Sequence, residues 1–453
     1  MAARYKTVDR EQLMLLPYDL KEWIPENDIV HFVIEAVKSV SLGVFASNEN
    51  GTGDEQYHPH MMLALLLYCY SHGIFSSRRI ERASWKDVAV RYICGNLHPD
   101  HDTICAFRVG NEKAITEAFL QVLLLAKEMQ VLKVGTVSID GTKIKANASI
   151  NKSVRYDRAG ELETQLKLEI EELMNKAAES ENIPTEEGET LGKEIQRLEE
   201  LRAKMTKARE RLEERAKAKA EKEKADYEDK VKRREERKGR GKGRIIKSPK
   251  DTPEPSDQVN MTDHESRIMR KSKHSEFTQS YNAQAVVDAD GSMLVLGARV
   301  TNNASDNNEL ALDVASIPSE AGSPKTALAD AGYTAQDPIQ ELEAKGTEVL
   351  VSLCRESDHN HRKHDWRPVI VVKKAPVDFF RRKAWVRKMM TTMETDRSKQ
   401  LYKLRKQTVE PVFGIIKQAL GFRQFLLRGL KKTNLEWTLI TCAYNLKRLA
   451  VLR

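Results

Sequence analysis

Three acidic residues stand where a metal-binding carboxylate would be useful. Asp140 closes the apolar run Thr136-Val137-Ser138-Ile139 and is followed by Gly141 and Thr142. Asp330 closes Thr326-Ala327-Leu328-Ala329 and is followed by Ala331, Gly332 and Tyr333. Glu410 lies in a stretch whose Val409, Val412, Phe413, Ile416 and Leu420 form one apolar stripe at helical spacing. Two strand ends and one late helix can bring three carboxylates together. Such hard oxygen ligands suit two Mg²⁺ ions, with Mn²⁺ as a substitute. Ions held about 3.5–4 Å apart activate an attacking oxygen and stabilise a leaving one, which is chemistry for cutting and joining phosphodiesters. Lys417 lies seven residues after Glu410, nearly two helical turns, so it is expected on the same flank, facing a phosphate.

The elements that must position these groups can be read around them. Val134 to Asp140 predicts a first strand, Ser280 to Val287 and Met293 to Val300 a hairpin about the Asp288–Ser292 turn, and Lys325 to Ala329 and Glu348 to Leu353 two more strands. Helices are expected over Asn307–Ser316, Gln336–Ala344 and Trp437–Leu452. The result is a mixed α/β sheet with helical cover. Residues 1–130 read as helical. Met61, Met62, Leu65, Leu66 and Cys69 recur at helix spacing, another helix restarts at Ser76-Ser77-Arg78-Arg79, and a third runs from Asp102 through Ile104, Phe107 and Arg108. Short helices with basic residues near their starts suit a helix-turn-helix-like DNA-binding domain, in which Arg78, Arg79 and Arg108 are candidate DNA contacts. A plain helical bundle fits the same pattern equally well.

The two parts of the sheet domain, 131–150 and 261–453, are separated by a charged insertion at 151–260. Leu162, Leu166, Ile170 and Leu173 mark one helix of it and Leu191, Ile195, Leu198, Met205 and Leu212 a second, with Pro184 in the break, so a helical hairpin is expected. It runs into a polybasic arm: Lys230 to Lys250 holds eleven basic residues and two acidic ones, suited either to phosphate contact or to solvation of a helix end.

The chain of 453 residues carries a net charge of +8, a weak pointer to an anionic partner. Its five cysteines are scattered and form no Cys-x-x-Cys pair, which argues for a reducing compartment and against a disulfide framework. No apolar signal segment opens the sequence, and its most apolar stretch, Met61 to Tyr70, is too short to span a bilayer. A cytoplasmic, nucleoid-associated protein with no membrane contact is expected.

With these residues in order, the sequence resembles the DDE transposases of bacterial insertion sequences. Ile139-Asp140-Gly141-Thr142-Lys143 is similar to the first acidic motif, Ala329-Asp330-Ala331-Gly332-Tyr333 to the second, and Val409-Glu410-Pro411-Val412-Phe413-Gly414-Ile415-Ile416-Lys417 to the third. Tyr57-His58-Pro59, Ser76 to Glu81 and Pro99 to Ile104 resemble the helical domain that precedes the core in one large group. Phe425 to Leu430 and Ala443 to Leu449 resemble the C-terminal end. The resemblance implies an RNase H-like core, and Asp140, Asp330 and Glu410 as both catalytic residues and ligands of the two metal ions. It implies hydrolysis of one strand at each element end and in-line attack by the freed 3′-hydroxyl, with double-stranded DNA as partner, both the terminal repeats and the target. Lys417 would hold the flanking phosphate, and Arg381 and Arg382, with Lys383, Arg387 and Lys388, would track the DNA. Acting on two ends makes a homodimer in the synaptic complex a reasonable expectation. One departure stands out. Relatives place a tyrosine and an arginine ahead of the glutamate at a spacing that Tyr402 and Arg405 miss by one residue, and the arginine slot holds Lys406. Either Lys406 substitutes, or Arg405 reaches round.

Other readings compete. An RNase H-fold nuclease that cuts without joining needs the same carboxylates, and a catalytically silent DNA-binding descendant would keep the fold. His359, His361 and His364 have no strong zinc spacing. Asp263, His264, Glu265 and Arg267 either line the site or serve as caps, and Asn302, Asn303 and Asp306 read as caps of the next helix. A coiled-coil scaffold over 159–238 is disfavoured by Arg202 and Arg209 at would-be core positions.

Overall fold

The structure, a computed structural model, describes residues 19–46, 55–179, 185–236, 248–270, 275–353 and 383–453. Among the described residues, six α-helices come first: α1 (Ile29–Lys38), α2 (Pro59–Ser71), α3 (Ser77–Lys86), α4 (Val88–Ile93), α5 (His101–Gly110) and α6 (Glu112–Glu128). Pro59 opens α2 at its first turn, where its missing N–H costs nothing. Every residue of α2 from Met62 to Ser71 is buried, because this helix is apolar on all sides and sits at the centre of the bundle. Asp87 and Asp100 cap α4 and α5 by accepting the backbone N–H groups of Val90, and of Asp102 and Thr103.

The sheet follows. Its strands are β1 (Thr136–Lys145), β4 (Arg267–Met269), β5 (Thr278–Asp288), β6 (Val295–Thr301), β7 (Thr326–Ala329) and β8 (Glu348–Val351), in the order β4-β5-β1-β7-β8 with β6 also on β5. β1 is antiparallel to β5 and parallel to β7, and β7 is parallel to β8. This is the mixed α/β, RNase H-like architecture expected from the sequence. Two short strands, β2 (Ser153–Arg155) and β3 (Gln258–Asn260), pair with each other away from the main sheet.

Between them run α7 (Tyr156–Glu179) and α8 (Thr185–Glu236). They lie antiparallel, since Glu163 meets Thr206 and Arg209 while Tyr156 meets Glu213. Leu166, Met205, Ala208 and Leu212 form a small core of their own there with Val154, Ala159 and Val259. The polybasic run is described only as far as the end of α8 and from residue 248 on. His359, His361, His364, Arg381 and Arg382 lie outside the described residues.

Helices α9 (Leu310–Ala315), α10 (Gln336–Ala344), α11 (Ala384–Glu394), α12 (Asp396–Gly414) and α13 (Leu430–Leu452) complete the fold. α13 joins sheet to bundle: Trp437 donates its indole N–H to the Gln284 carbonyl, while Lys447 reaches the Ser71 carbonyl at the end of α2. Asn445 pairs with both the N–H and the carbonyl of Val295 on β6, and Asn434 accepts the Val300 N–H.

Two sequence expectations change. β1 does not stop at Asp140 but runs on to Lys145, because Gly141 to Lys145 pair with Ser280 to Gln284 although they carry no continuous apolar run. The helix expected from Asn307 starts at Leu310, and its N-cap position, Glu309, supplies no side-chain cap. Asp263 and Glu265 resolve as structural caps, accepting the N–H groups of Gly429 and Leu430 at the start of α13.

Candidate active site

The parallel pairing of β1 with β7 sets Thr136 opposite Thr326 and Ser138 opposite Leu328. Carried on past the last pair, that register brings Asp140 beside Asp330. Each carboxylate is held by its own turn: Asp140 Oδ1 accepts from Gly141 N at 2.8 Å, and Asp330 Oδ1 from Gly332 N at 2.7 Å. Burial and the neighbouring Asp330 charge push the Asp140 carboxyl up to about 7, with Arg405 pulling it back only in part.

Helix α12 crosses this sheet end and is pinned at three points along its length. The Tyr402 hydroxyl donates to the Ala329 carbonyl at 3.2 Å, Arg405 lies 3.4 Å from Asp140 Oδ2, and the Thr408 hydroxyl donates to Ser138 Oγ at 2.7 Å. Arg405 also lies 3.4 Å from Glu410 Oε1. The spacing question is therefore answered by Arg405: its buried guanidinium reaches round to stand between Asp140 and Glu410, with Lys406 half-buried beside it. Pro411 lies within α12, and the helix loosens into a π turn over Ile415–Ala419. Lys417 sits in that turn and donates to Thr142 Oγ1 and, at 2.9 Å, to the Lys143 carbonyl. Its amine braces β1 just beyond Asp140.

One further carboxylate joins this end of the sheet. Asp306, expected to cap a helix, instead turns toward the sheet and accepts from Asn282 Nδ2 at 2.6 Å and Gln284 Nε2 at 2.7 Å, with Lys143 Nζ at 3.7 Å. Gln284 Oε1 in turn accepts the Tyr333 hydroxyl from the turn after Asp330. Asp306 thus links the stretch after Asp140 to the stretch after Asp330. The room is tight: a Cβ on Gly141 would lie 2.4 Å from Gln284 Nε2 and 2.7 Å from Asp306 Oδ1, so a larger residue would push these side chains out of their present contacts. Nothing local in the sequence signals Asp306, because its partners lie on β5, more than twenty residues away.

The donor set suits a divalent cation. Asp140 and Asp330 are like-charged oxygen ligands whose mutual repulsion a cation would relieve, and Glu410 is half-exposed behind Arg405. Among the described residues, no three His, Cys, Asp or Glu side chains converge closely enough to share an ion in this conformation, and Arg405 holds the space between Asp140 and Glu410.

The remaining candidates separate by exposure. Arg78 and Arg79 stand open to solvent on α3. Arg108 does not: only 3% exposed, it donates to the Tyr70 hydroxyl at 2.9 Å and the Phe75 carbonyl at 3.2 Å, near the buried Glu436. It is a core residue and is withdrawn as a DNA contact. A basic side chain one turn from an apolar stripe reads as surface, and its buried partners on α2 and α13 are invisible locally.

Residues 255–446 match the family described as Transposase DDE domain, and residues 18–110 match Transposase domain (DUF772). The first stretch contains Asp330 and Glu410 and the second Arg78 and Arg79, while Asp140 falls between them. Neither the curated proteins nor the solved structures compared with the chain gave a match.

Proposed function

The chain belongs to the DDE transposases of insertion sequences, enzymes that act on DNA, and we propose that it performs divalent-metal-dependent strand cleavage and transfer at the ends of its element through Asp140, Asp330 and Glu410. The observation that carries this reading is the register of β1 against β7, which sets two acidic residues side by side under a helix that supplies a third. Asp140, Asp330 and Glu410 would hold Mg²⁺ or Mn²⁺. Bound there, the metal would activate an attacking oxygen and stabilise the leaving one.

The chain's own residues do the rest. Asp140 and Asp330 are fixed by the backbone N–H groups that follow them, so their oxygens stay in place. With the carboxylates holding their cations, Arg405 would be free to face the substrate phosphate, whose oxygens its guanidinium can meet in a bidentate manner. Tyr402 and Thr408 keep α12 seated on β7 and β1 meanwhile. Hydrolysis of one strand leaves a 3′-hydroxyl, and attack of that hydroxyl on a second phosphodiester, in line with the departing oxygen, joins the strands. Arg78 and Arg79 would contact duplex DNA from the helical bundle. No described helix is long and apolar enough to cross a membrane.

The test is cleavage and joining of DNA carrying the element's own ends, with Mg²⁺, comparing wild type with Glu410→Gln. Nicking followed by joined products, both lost by about a thousandfold or more in the variant, is expected. Nicking without joined products would favour a nuclease, and tight binding without nicking in either protein a silent DNA-binding descendant.

A further inference from the structure

We infer that the outer face of α3 is a DNA-docking surface which takes an unstacked base onto Trp85, next to the phosphates gripped by its arginines. Trp85 is 61% exposed on a helix that is otherwise strongly cationic. Its ring lies on His98, the centroids 3.4 Å apart and the planes within 14°. His98 is itself steadied by Ser84, whose hydroxyl lies 3.3 Å from Nδ1. One face of the indole is therefore backed by imidazole, and the other is open.

Around it, Arg78, Arg82 and Trp85 follow one another at helical spacing, with Arg79 and Lys86 alongside, and all five are exposed. Glu81, the acidic residue on the helix, lies one turn before Trp85 and is bound to His101 at 2.9 Å. Asp87 is engaged in capping α4. The face offers fixed positive charge for a phosphate backbone and a single rigid aromatic plane beside it.

That pairing suits DNA better than it suits a protein. Inside a duplex both faces of a base are covered by its neighbours, so a one-sided platform can take only a base at an end or one drawn from the stack. Cations supply affinity that falls with salt, whereas stacking is largely indifferent to salt. The two contributions are thus separable in one experiment.

The inference rests on the reading of the chain as a DNA-processing enzyme, and its test distinguishes the two. The probes are a blunt duplex cut from the element's own terminus and the same duplex with a short single-stranded thymine overhang, followed by fluorescence anisotropy across a salt series. Wild type should prefer the overhang. Trp85→Ala should lose about tenfold on the overhang at every salt concentration, and Trp85→Phe should recover most of it. Arg78→Ala and Arg82→Ala should weaken both probes and reduce the salt slope by about one each. Equal binding of both probes by wild type, with no loss in Trp85→Ala, would overturn the docking surface while leaving the transposase reading intact. Failure of wild type to bind either probe would overturn both.

Discussion

Arg299 and Arg405 each stand between two carboxylates, and they do so in opposite ways. Arg299 on β6 closes on Glu309 and Asp313, with Asp313 contacts at 2.8 and 3.1 Å and both acids almost fully buried. Arg405 stands 3.4 Å from Asp140 and from Glu410, one carboxylate partly and the other half exposed. The first is a finished clamp that fixes the loop carrying Asp306. The second is longer, and both of its carboxylates keep contact with water. The same residue types thus make a structural tie or a site, and the difference lies in burial and reach.

The largest effect should come from breaking the clamp. Arg299→Met leaves two buried carboxylates without their cation and should cost about 3–5 kcal/mol of stability, measured by urea unfolding. Arg405→Met should behave otherwise. Asp140 and Glu410 both keep contact with water, so the loss should be within about 1 kcal/mol, while activity falls about 10–100-fold and Mn²⁺ binding by calorimetry tightens, a competitor having been removed. A large stability loss with no gain in Mn²⁺ affinity would erase the distinction between the two arginines. Asp306→Asn should lower strand cleavage about 10–100-fold with duplex binding unchanged, because it loosens the link between the Asp140 and Asp330 turns without touching α3.

The mildest effect concerns pH. The Asp140 carboxyl is raised to about 7 in the metal-free fold, so protonation favours that fold, and this contribution is lost as pH rises through about 7. Cation binding requires the deprotonated form. The Mg²⁺-induced rise in Tm should therefore grow as pH increases through about 7, and a shift that is flat across that window would remove Asp140 from the ligand set.

Most of the sheet was legible because its strands are apolar runs ending in acidic or turn residues, as at Ile139-Asp140 and Ala329-Asp330. What could not be read was set by distant partners. Gly141 to Lys145 continue β1 only because β5 lies alongside, Asp306 leaves its capping position only because Asn282 and Gln284 await it, and Arg108 is buried only because Tyr70 and Phe75 receive it. Lys417 likewise meets the Lys143 carbonyl only because β1 lies against the π turn at Ile415–Ala419. The motifs identified the chemical groups, and the tertiary pairing decides which of them meet.

The ladder between β2 and β3 has a consequence for how this chain can change length. Ser153 and Asn260 face one another across it, so the chain departs and returns through a single doorway. Whatever lies between those points closes a loop whose ends already touch, and doubling such a loop costs only about 0.6 kcal/mol of closure entropy. The sheet is thus nearly indifferent to the size of what it hosts there. The hairpin can be lengthened, trimmed or replaced by a tight turn while Asp140 and Asp330 keep their register.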